Sequence, residues 1–245
     1  MQGSISVVVP VYNSENSLEH FYKVLSKELK KFCDDYEIIM VDDGSLDNSY
    51  EQMKKLHTID SRVKIIGLDG NFGQQNALMC GFHYSTGEYI VTLDDDLQHP
   101  PEEIHKLYKK IDEGYDVVYG IPIIKQHSVY RKMGSKMTDY LFNKICLKPK
   151  NIKISSFRII RKSIISEIIK DKTSFVYISA ITFKNTNNIS NVEVNHNVRK
   201  YGKSNYDFYK LLKLFIKLYL YYSNHKIFKM VTSSKPQYII KHKKL

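Results

Sequence analysis

Apolar, β-branched runs alternate with amphipathic stretches over the first half of the chain. The apolar runs predict strands at residues 4–10, 36–41, 63–68, 88–93 and 115–119. Between them, apolar side chains recur at helical spacing, which predicts helices at residues 17–32, 47–57, 74–85 and 101–113. Because strands and helices that alternate in this way form parallel sheets, we predict an α/β fold with a mostly parallel sheet flanked by helices.

The pattern of apolar positions is less regular after residue 122. It predicts two further strands at residues 156–160 and 189–198, and three helices at residues 131–145, 163–169 and 206–222. No internal repeat or low-complexity linker interrupts the chain. The simplest partition is therefore one domain at residues 1–204, followed by a basic amphipathic C-terminal helix and tail at residues 205–245.

The positive charge of the chain is concentrated near the C-terminus. Residues 199–245 contain 12 Lys or Arg and one Asp, so this segment accounts for the whole net charge of +11. Lys210, Lys213 and Lys217 recur at helical spacing among Leu, Phe and Tyr, a pattern typical of helices that lie on an anionic membrane surface. The alternative is an ordinary amphipathic helix packed on the domain.

Nucleic acid is another partner that a basic segment could bind. The aromatic residues of this segment lie in a predicted helix rich in Leu and Ile, and the chain carries no RNP, KH or helix-turn-helix pattern. We therefore expect no nucleic-acid partner.

The cysteines and the apolar runs indicate the cellular compartment. Cys33, Cys80 and Cys146 are far apart and form no CxxC pair, so we expect neither a disulfide framework nor a zinc site. The N-terminus lacks the pattern of a secretory signal, and no run of about 18 apolar residues predicts a membrane span. We expect a cytoplasmic protein that is peripheral on the inner face of the cell membrane.

Acidic residues cluster where two of the predicted strands end. Asp42 and Asp43 follow the second strand, and three aspartates at residues 94–96 follow the fourth. Ligands of open parallel sheets bind beyond the carboxyl ends of the strands. Adjacent carboxylates repel one another, and a Mg²⁺ or Mn²⁺ ion shared with phosphate oxygens removes that repulsion. In an extended segment, Asp94, Asp96 and Gln98 would face one side and Asp95 the other.

Six short segments carry recognisable motifs in a fixed order. They are VVPVYN at residues 8–13, VDDGS at 41–45, NFGQQNA at 71–77, LDDDLQHPPE at 93–102, SFR at 156–158 and RKYGKSNY at 199–206. Together they resemble the inverting family 2 glycosyltransferases, which have the Rossmann-like GT-A fold. They are most similar to the polyprenyl-phosphate branch of that family, the dolichol-phosphate mannosyltransferase-like enzymes. The resemblance extends over residues 4–222.

The resemblance implies roles for the matching residues. Substrate-binding positions would be Pro10, Tyr12, Glu15, Asp42, Asp43, Asn71, Gly73, Gln74, Asp95, Arg199, Lys203 and Ser204. Catalytic positions would be Asp94, Asp96, Arg131 and Arg158. The resemblance also implies that Asp96, Gln98 and Asp94 hold a Mg²⁺ or Mn²⁺ ion on the donor diphosphate.

One departure from the family pattern concerns the acceptor. Many family 2 enzymes have an acidic general base in the region that corresponds to residues 174–181, but this chain reads YISA at residues 177–180. A sugar hydroxyl needs a base to remove its proton, whereas a phosphate is already ionised near neutral pH. We therefore predict inverting transfer of a sugar from a nucleotide diphosphate sugar to a polyprenyl phosphate or another lipid-linked acceptor.

Two other functions fit the same motifs. One is transfer to a saccharide or lipid-linked sugar during cell-surface polysaccharide assembly. The other is binding of a nucleotide sugar without catalysis. The sequence leaves the oligomeric state open, a homo-oligomer included.

Overall fold

A computed structural model of the chain describes residues 3–123, 146, 148–197, 208–222 and 236–245. Within these residues eight strands form one sheet. The strands are β1 (Ile5–Val11), β2 (Tyr36–Asp42), β3 (Val63–Leu68), β4 (Tyr89–Thr92), β5 (Val117–Pro122), β6 (Arg158–Arg161), β7 (Ile189–Val194) and β8 (Ile240–Lys244). The helices are α1 (Leu18–Leu29), α2 (Ser49–Ile59), α3 (Gln74–Tyr84), α4 (Ile104–Asp112, after a 3-10 turn at Pro101–Glu103), α5 (Lys162–Ile168), α6 (Ile178–Asn185) and α7 (Phe208–Tyr222).

The centre of the sheet is parallel. The strand order is β7-β5-β6-β4-β1-β2-β3-β8, and β4, β1, β2 and β3 run in the same direction. β6 lies antiparallel between β4 and β5, and β8 lies antiparallel at the edge formed by β3. The mostly parallel sheet predicted from the alternation of strands and helices is therefore confirmed.

Helices cover both faces of the sheet. Successive side chains of a strand point to opposite faces, so Val8 joins the apolar cluster beneath α3, α5, α6 and α7. Val7 and Val9 join the cluster on the other face, beneath α1, α2 and α4. Because both faces are buried, the central strands read as continuous apolar runs.

The predicted elements of the first half are confirmed, with boundaries that differ by at most three residues. In the second half, β6, β7, α5 and α7 match the predicted strands and helices, although β7 ends at Val194, four residues earlier than expected. The helix predicted at residues 131–145 lies outside the described residues.

Two elements depart from the prediction. α6 begins with six buried residues in succession, from Ile178 to Phe183, so it lacks the polar face that helical periodicity requires. β8 pairs with β3, and its lysines are exposed at the sheet edge, where charged residues are common. Residues 240–244, which we placed in the C-terminal tail, therefore belong to the sheet.

α7 packs against the domain with one face. Leu218 and Tyr222 are buried, and the Tyr222 hydroxyl donates a hydrogen bond to the Phe175 carbonyl at 2.7 Å. Ile216 and Tyr219 on the same helix are exposed. The packed-helix alternative therefore describes one face of α7, and membrane contact by the other face stays a prediction. Among the described helices, none is long and apolar enough to cross a bilayer.

Candidate active site

A cavity of about 360 Å³, here called the aspartate cavity, opens at the carboxyl end of the parallel strands. The last residues of β1 line it, together with residues that follow β1, β2 and β4 and the loop between β3 and α3. Nine predicted site residues are among them: Pro10, Tyr12, Asp43, Asn71, Gly73, Gln74, Asp94, Asp95 and Asp96. The fold thus brings four of the six sequence motifs to one place.

The turn after β2 fixes the loop that precedes α3. The two oxygens of Asp43 accept hydrogen bonds from the backbone amides of Phe72 at 2.7 Å and Gly73 at 2.8 Å. Burial raises the pKa of Asp43, and these two amides act in the opposite direction. Gly44 has a φ of +71°, and a Cβ atom there would lie 2.4 Å from the carbonyl carbon of Gly70. The two loops are in contact because this position has no side chain.

The carboxylate of Asp94 is held from two directions. Its Oδ1 accepts a hydrogen bond from Gln74 Nε2 at 2.5 Å, and its Oδ2 accepts one from Ser156 Oγ at 2.9 Å. These partners come from the start of α3 and from the residues that precede β6. Burial is the main cause that raises the pKa of Asp94, and the Ser156 hydroxyl is the main cause that lowers it. Asp94 therefore joins three segments of the cavity wall.

Asp95 carries the least satisfied carboxylate of the cavity. Its Oδ2 is buried and has no hydrogen-bond partner among the described residues. Burial raises its pKa to about 7, the hydroxyl of Ser14 lowers it, and the charges of Asp94 and Asp96 raise it further. A carboxylate in such a position is unfavourable in its ionised form unless a cation or donor binds to it.

Residues 95 and 96 form a turn rather than an extended segment. Asp96 Oδ1 accepts a hydrogen bond from the backbone amide of Gln98 at 3.0 Å, and Leu97 has a φ of +56°. The expectation that Asp95 faces away from Asp94 and Asp96 is therefore wrong, because it assumed strand alternation beyond the end of β4. All three aspartates line the same cavity.

Comparison with known proteins identifies the family. The model of the family described as Glycosyl transferase family 2 matches residues 6–169, which is well over half of the chain. The chain belongs to glycosyl transferase family 2. The family resemblance carried by the sequence motifs is thereby confirmed.

Two curated family 2 relatives carry the same name, undecaprenyl-phosphate 4-deoxy-4-formamido-L-arabinose transferase. The protein of Proteus mirabilis is 39% identical over 213 residues, which are 86% of this chain and 65% of the relative. The protein of Klebsiella pneumoniae is 37% identical over 213 residues, or 86% of this chain and 64% of the relative. The chain therefore spans slightly less than two thirds of the length of these relatives.

A solved structure shows the same fold. Glucosyl-3-phosphoglycerate synthase from Mycobacterium tuberculosis, in complex with Mn²⁺, uridine diphosphate and phosphoglyceric acid, superposes with a TM-score of 0.65. It is 17% identical in sequence, and the match covers 89% of this chain and 77% of that structure. This likeness supports the GT-A fold that the family motifs led us to expect.

Three predicted site residues of the family 2 domain lie near the aspartate cavity without lining it. Glu15 accepts a hydrogen bond from the Asn48 amide at 2.9 Å. Asp42 is buried and accepts from the Ser45 amide, 3.3 Å from its Oδ1. Gln98, predicted as a metal ligand, is also absent from the described lining of the cavity. Glu15 and Asp42 thus hold the loops after β1 and β2 in place.

Arg158 is buried rather than directed into the cavity. Its side chain is 2% exposed, and Nη1 donates a hydrogen bond to Ser179 Oγ at 3.0 Å. Tyr119 Oη donates to the same oxygen at 3.2 Å. Ser179 stands in the segment where family relatives have an acidic base, so a neutral hydroxyl faces the guanidinium there. The predicted role of Arg158 in binding a phosphate stays a prediction.

The remaining predicted residues, Arg131, Arg199, Lys203 and Ser204, lie outside the described residues. Two residues near the aspartates were not predicted: Ser14, whose hydroxyl lowers the pKa of Asp95, and Ser156, whose hydroxyl donates a hydrogen bond to Asp94. Ser156 begins the SFR motif, which is a usable signal, but Ser14 carries no sequence signal of its own. Only the turn after β1 places Ser14 beside the aspartates.

The carboxylates of the aspartate cavity are suited to a divalent cation. A cation beside Asp95 would satisfy its unpaired buried oxygen and favour its ionised form. Within the described residues, no group of three or more His, Cys, Asp or Glu is arranged to hold a metal. Phosphate oxygens of a ligand would therefore have to complete the coordination, as is common for Mg²⁺.

Proposed function

We propose that this chain transfers a sugar from a nucleotide diphosphate sugar to a polyprenyl phosphate, with inversion at the anomeric carbon. The observation that carries the proposal is the group of three aspartates in one cavity, with a buried oxygen of Asp95 left without a partner. The names of two relatives, both undecaprenyl-phosphate transferases, support the acceptor class.

The donor diphosphate would bind in the aspartate cavity through a Mg²⁺ or Mn²⁺ ion. Asp95 and Asp96 would hold the ion, and the family resemblance adds Asp94 and Gln98 to this set. When bound, the cation neutralises the charge that develops on the departing diphosphate. The hydrogen bonds from Gln74 and Ser156 keep Asp94 in place beside it. The structurally similar glucosyl-3-phosphoglycerate synthase was solved with Mn²⁺ and uridine diphosphate, which is consistent with this use of a metal.

The chemistry of the acceptor follows from the residues around Ser179. An oxygen of the acceptor phosphate attacks the anomeric carbon, and the bond from that carbon to the diphosphate breaks with its electron pair on the leaving oxygen. The acceptor loses one negative charge and the nucleoside diphosphate gains one, so no proton has to be removed. A buried Ser179 beside Arg158, with no acid in the segment, suits this reaction better than attack by a hydroxyl.

Membrane attachment is a second part of the proposal. A polyprenyl phosphate resides in a bilayer, so the enzyme has to reach the membrane surface. Ile216 and Tyr219 on the exposed face of α7 support a peripheral contact with the cytoplasmic face of an anionic membrane. Sedimentation with vesicles tests this contact: we expect binding to anionic vesicles that Ile216→Ser weakens, and equal sedimentation of both proteins would contradict it.

A direct transfer assay tests the reaction. The full chain is incubated with undecaprenyl phosphate, Mn²⁺ and a panel of UDP- and GDP-sugars, and lipid products are identified by mass spectrometry. We expect a glycosyl phospholipid with one donor, and none when undecaprenol replaces the phosphate. Donor binding without transfer, or transfer to a saccharide instead, would overturn the proposal.

A further inference from the structure

A second cavity of about 520 Å³ lies next to the aspartate cavity, and Gly73 and Gln74 line both. Its remaining wall comes from the first turn of α3, the loop before α6 and one face of α7. Gln74 donates its amide hydrogen bond to Asp94, so it stands between the two cavities. A group bound in the second cavity would therefore face the aspartates across a single side chain.

The lining of the second cavity combines aromatic rings with one cation. Phe72, Phe175 and Tyr221 are half-buried there, and Lys217 is the charged residue of the described lining. The Lys217 ammonium lies 5.1 Å from the centre of the Phe175 ring. No acidic residue is present in the described lining. This combination is suited to an anion that continues into an apolar chain.

We propose that the second cavity binds the polyprenyl phosphate acceptor, with Lys217 in contact with its phosphate and the aromatic rings in contact with the first isoprene units. This inference rests on the proposed function and assigns a site to its acceptor. The wall shared through Gly73 and Gln74 puts the acceptor phosphate beside the donor. The exposed Ile216 and Tyr219 of α7 extend the apolar surface away from the cavity, where the rest of the lipid chain would lie.

α7 provides a matched control for Lys217. Lys213 is one helical turn earlier, is also exposed, and is not part of the described lining of the second cavity. Replacement of either lysine by Ala removes the same charge from the same helix. A difference between the two variants therefore reports on the cavity rather than on the net charge of the protein.

Binding of farnesyl phosphate, a short soluble polyprenyl phosphate, tests the site without a donor. Isothermal titration of the full chain should show binding that Lys217→Ala weakens about tenfold and Lys213→Ala changes by less than about twofold. Farnesol, which lacks the phosphate, should bind wild type and Lys217→Ala equally. Equal losses in both variants, or no loss in Lys217→Ala, would overturn the assignment.

The proposed acceptor site and the proposed transfer reaction can be tested separately. If wild type transfers sugar to undecaprenyl phosphate and Lys217→Ala keeps the wild-type KM for that lipid, the site is wrong and the reaction stands. If farnesyl phosphate binding depends on Lys217 but no donor gives a glycosyl phospholipid, the site stands and the reaction is wrong. Thermal midpoints equal to that of wild type confirm that both lysine variants are folded.

Discussion

The turns after β2 and β4 carry the same kind of sequence, consecutive aspartates at the end of a buried parallel strand, but they differ in hydrogen bonding. Both oxygens of Asp43 accept hydrogen bonds from backbone amides, whereas Asp95 has a buried oxygen with no hydrogen-bond partner in the described residues. An unsatisfied buried carboxylate destabilises the protein until a ligand satisfies it. The first turn therefore stabilises the fold, and the second is suited to ligand binding.

The largest effect should come from Gly44→Ala in the first turn. A methyl group at this φ of +71° would lie 2.4 Å from the Gly70 carbonyl carbon, so we expect a loss of about 3 kcal/mol or more in unfolding free energy. Gly114→Ala is the control, because its φ is +104° but no atom lies within 4 Å of the added Cβ. It should lose only about 1–2 kcal/mol. Equal losses in urea unfolding would show that the two loops are not in contact.

Asp43→Ala should be the next most destabilising change. It leaves the amides of Phe72 and Gly73 without acceptors, for an expected loss of about 2–3 kcal/mol in urea unfolding. Asp34→Ala removes an exposed carboxylate and should change stability by less than about 0.5 kcal/mol. If the two variants unfold alike, Asp43 does not stabilise the loop before α3.

Asp95→Asn should raise the stability of the protein, whereas the two changes above lower it. Burial raises the pKa of Asp95 from 3.8 to about 7, so the stability that its protonated form contributes is lost as pH rises through about 7. Asn cannot ionise, and in EDTA we expect the variant to be more stable by roughly 1–2 kcal/mol at pH 8. The difference should shrink at pH 4. A variant that is less stable than wild type at pH 8 would contradict the burial of this carboxylate.

Ser156→Ala should give the smallest effect, a shift in the pH dependence of nucleotide binding. The hydroxyl of Ser156 lowers the pKa of Asp94, so its loss should move the acidic limit of metal-dependent nucleotide binding to higher pH, by less than about one unit. The adjacent Ser155 accepts a hydrogen bond from the Phe157 amide instead, which makes Ser155→Ala the control. Titration of UDP and GDP with Mn²⁺ over pH 4–8 measures this limit. An unchanged limit would mean that Ser156 does not act on Asp94.

Much of the fold follows from the sequence, for a physical reason. The parallel strands are buried on both faces, so each is a distinct apolar run between amphipathic helices. α6 and β8 do not follow this rule. The first six residues of α6 are all buried, which removes the polar face, and β8 is an exposed edge strand rich in lysine. Neither produces the periodicity from which an element is predicted.

The site was predictable where a motif follows a strand and less so elsewhere. Asp43 and Asp94 line the aspartate cavity because the ends of parallel strands meet at one edge of the sheet. The orientation of Asp95 was not predictable, since it depends on a turn at residues 95 and 96. Arg158 illustrates a second limit, because a motif arginine can be buried against Ser179. Sequence order does not report such burial.

The account depends most on the aspartates of the second turn binding a cation together with a diphosphate. The direct test is the thermal midpoint of wild type and Asp96→Ala with UDP- and GDP-sugars, each with and without Mn²⁺. At about 100 times Kd, a donor should raise the wild-type midpoint by roughly 5–10 °C, and only when Mn²⁺ is present. Asp96→Ala should lose this shift while Asp34→Ala keeps it. A full metal-dependent shift in Asp96→Ala, or a shift of wild type that needs no metal, would contradict the account.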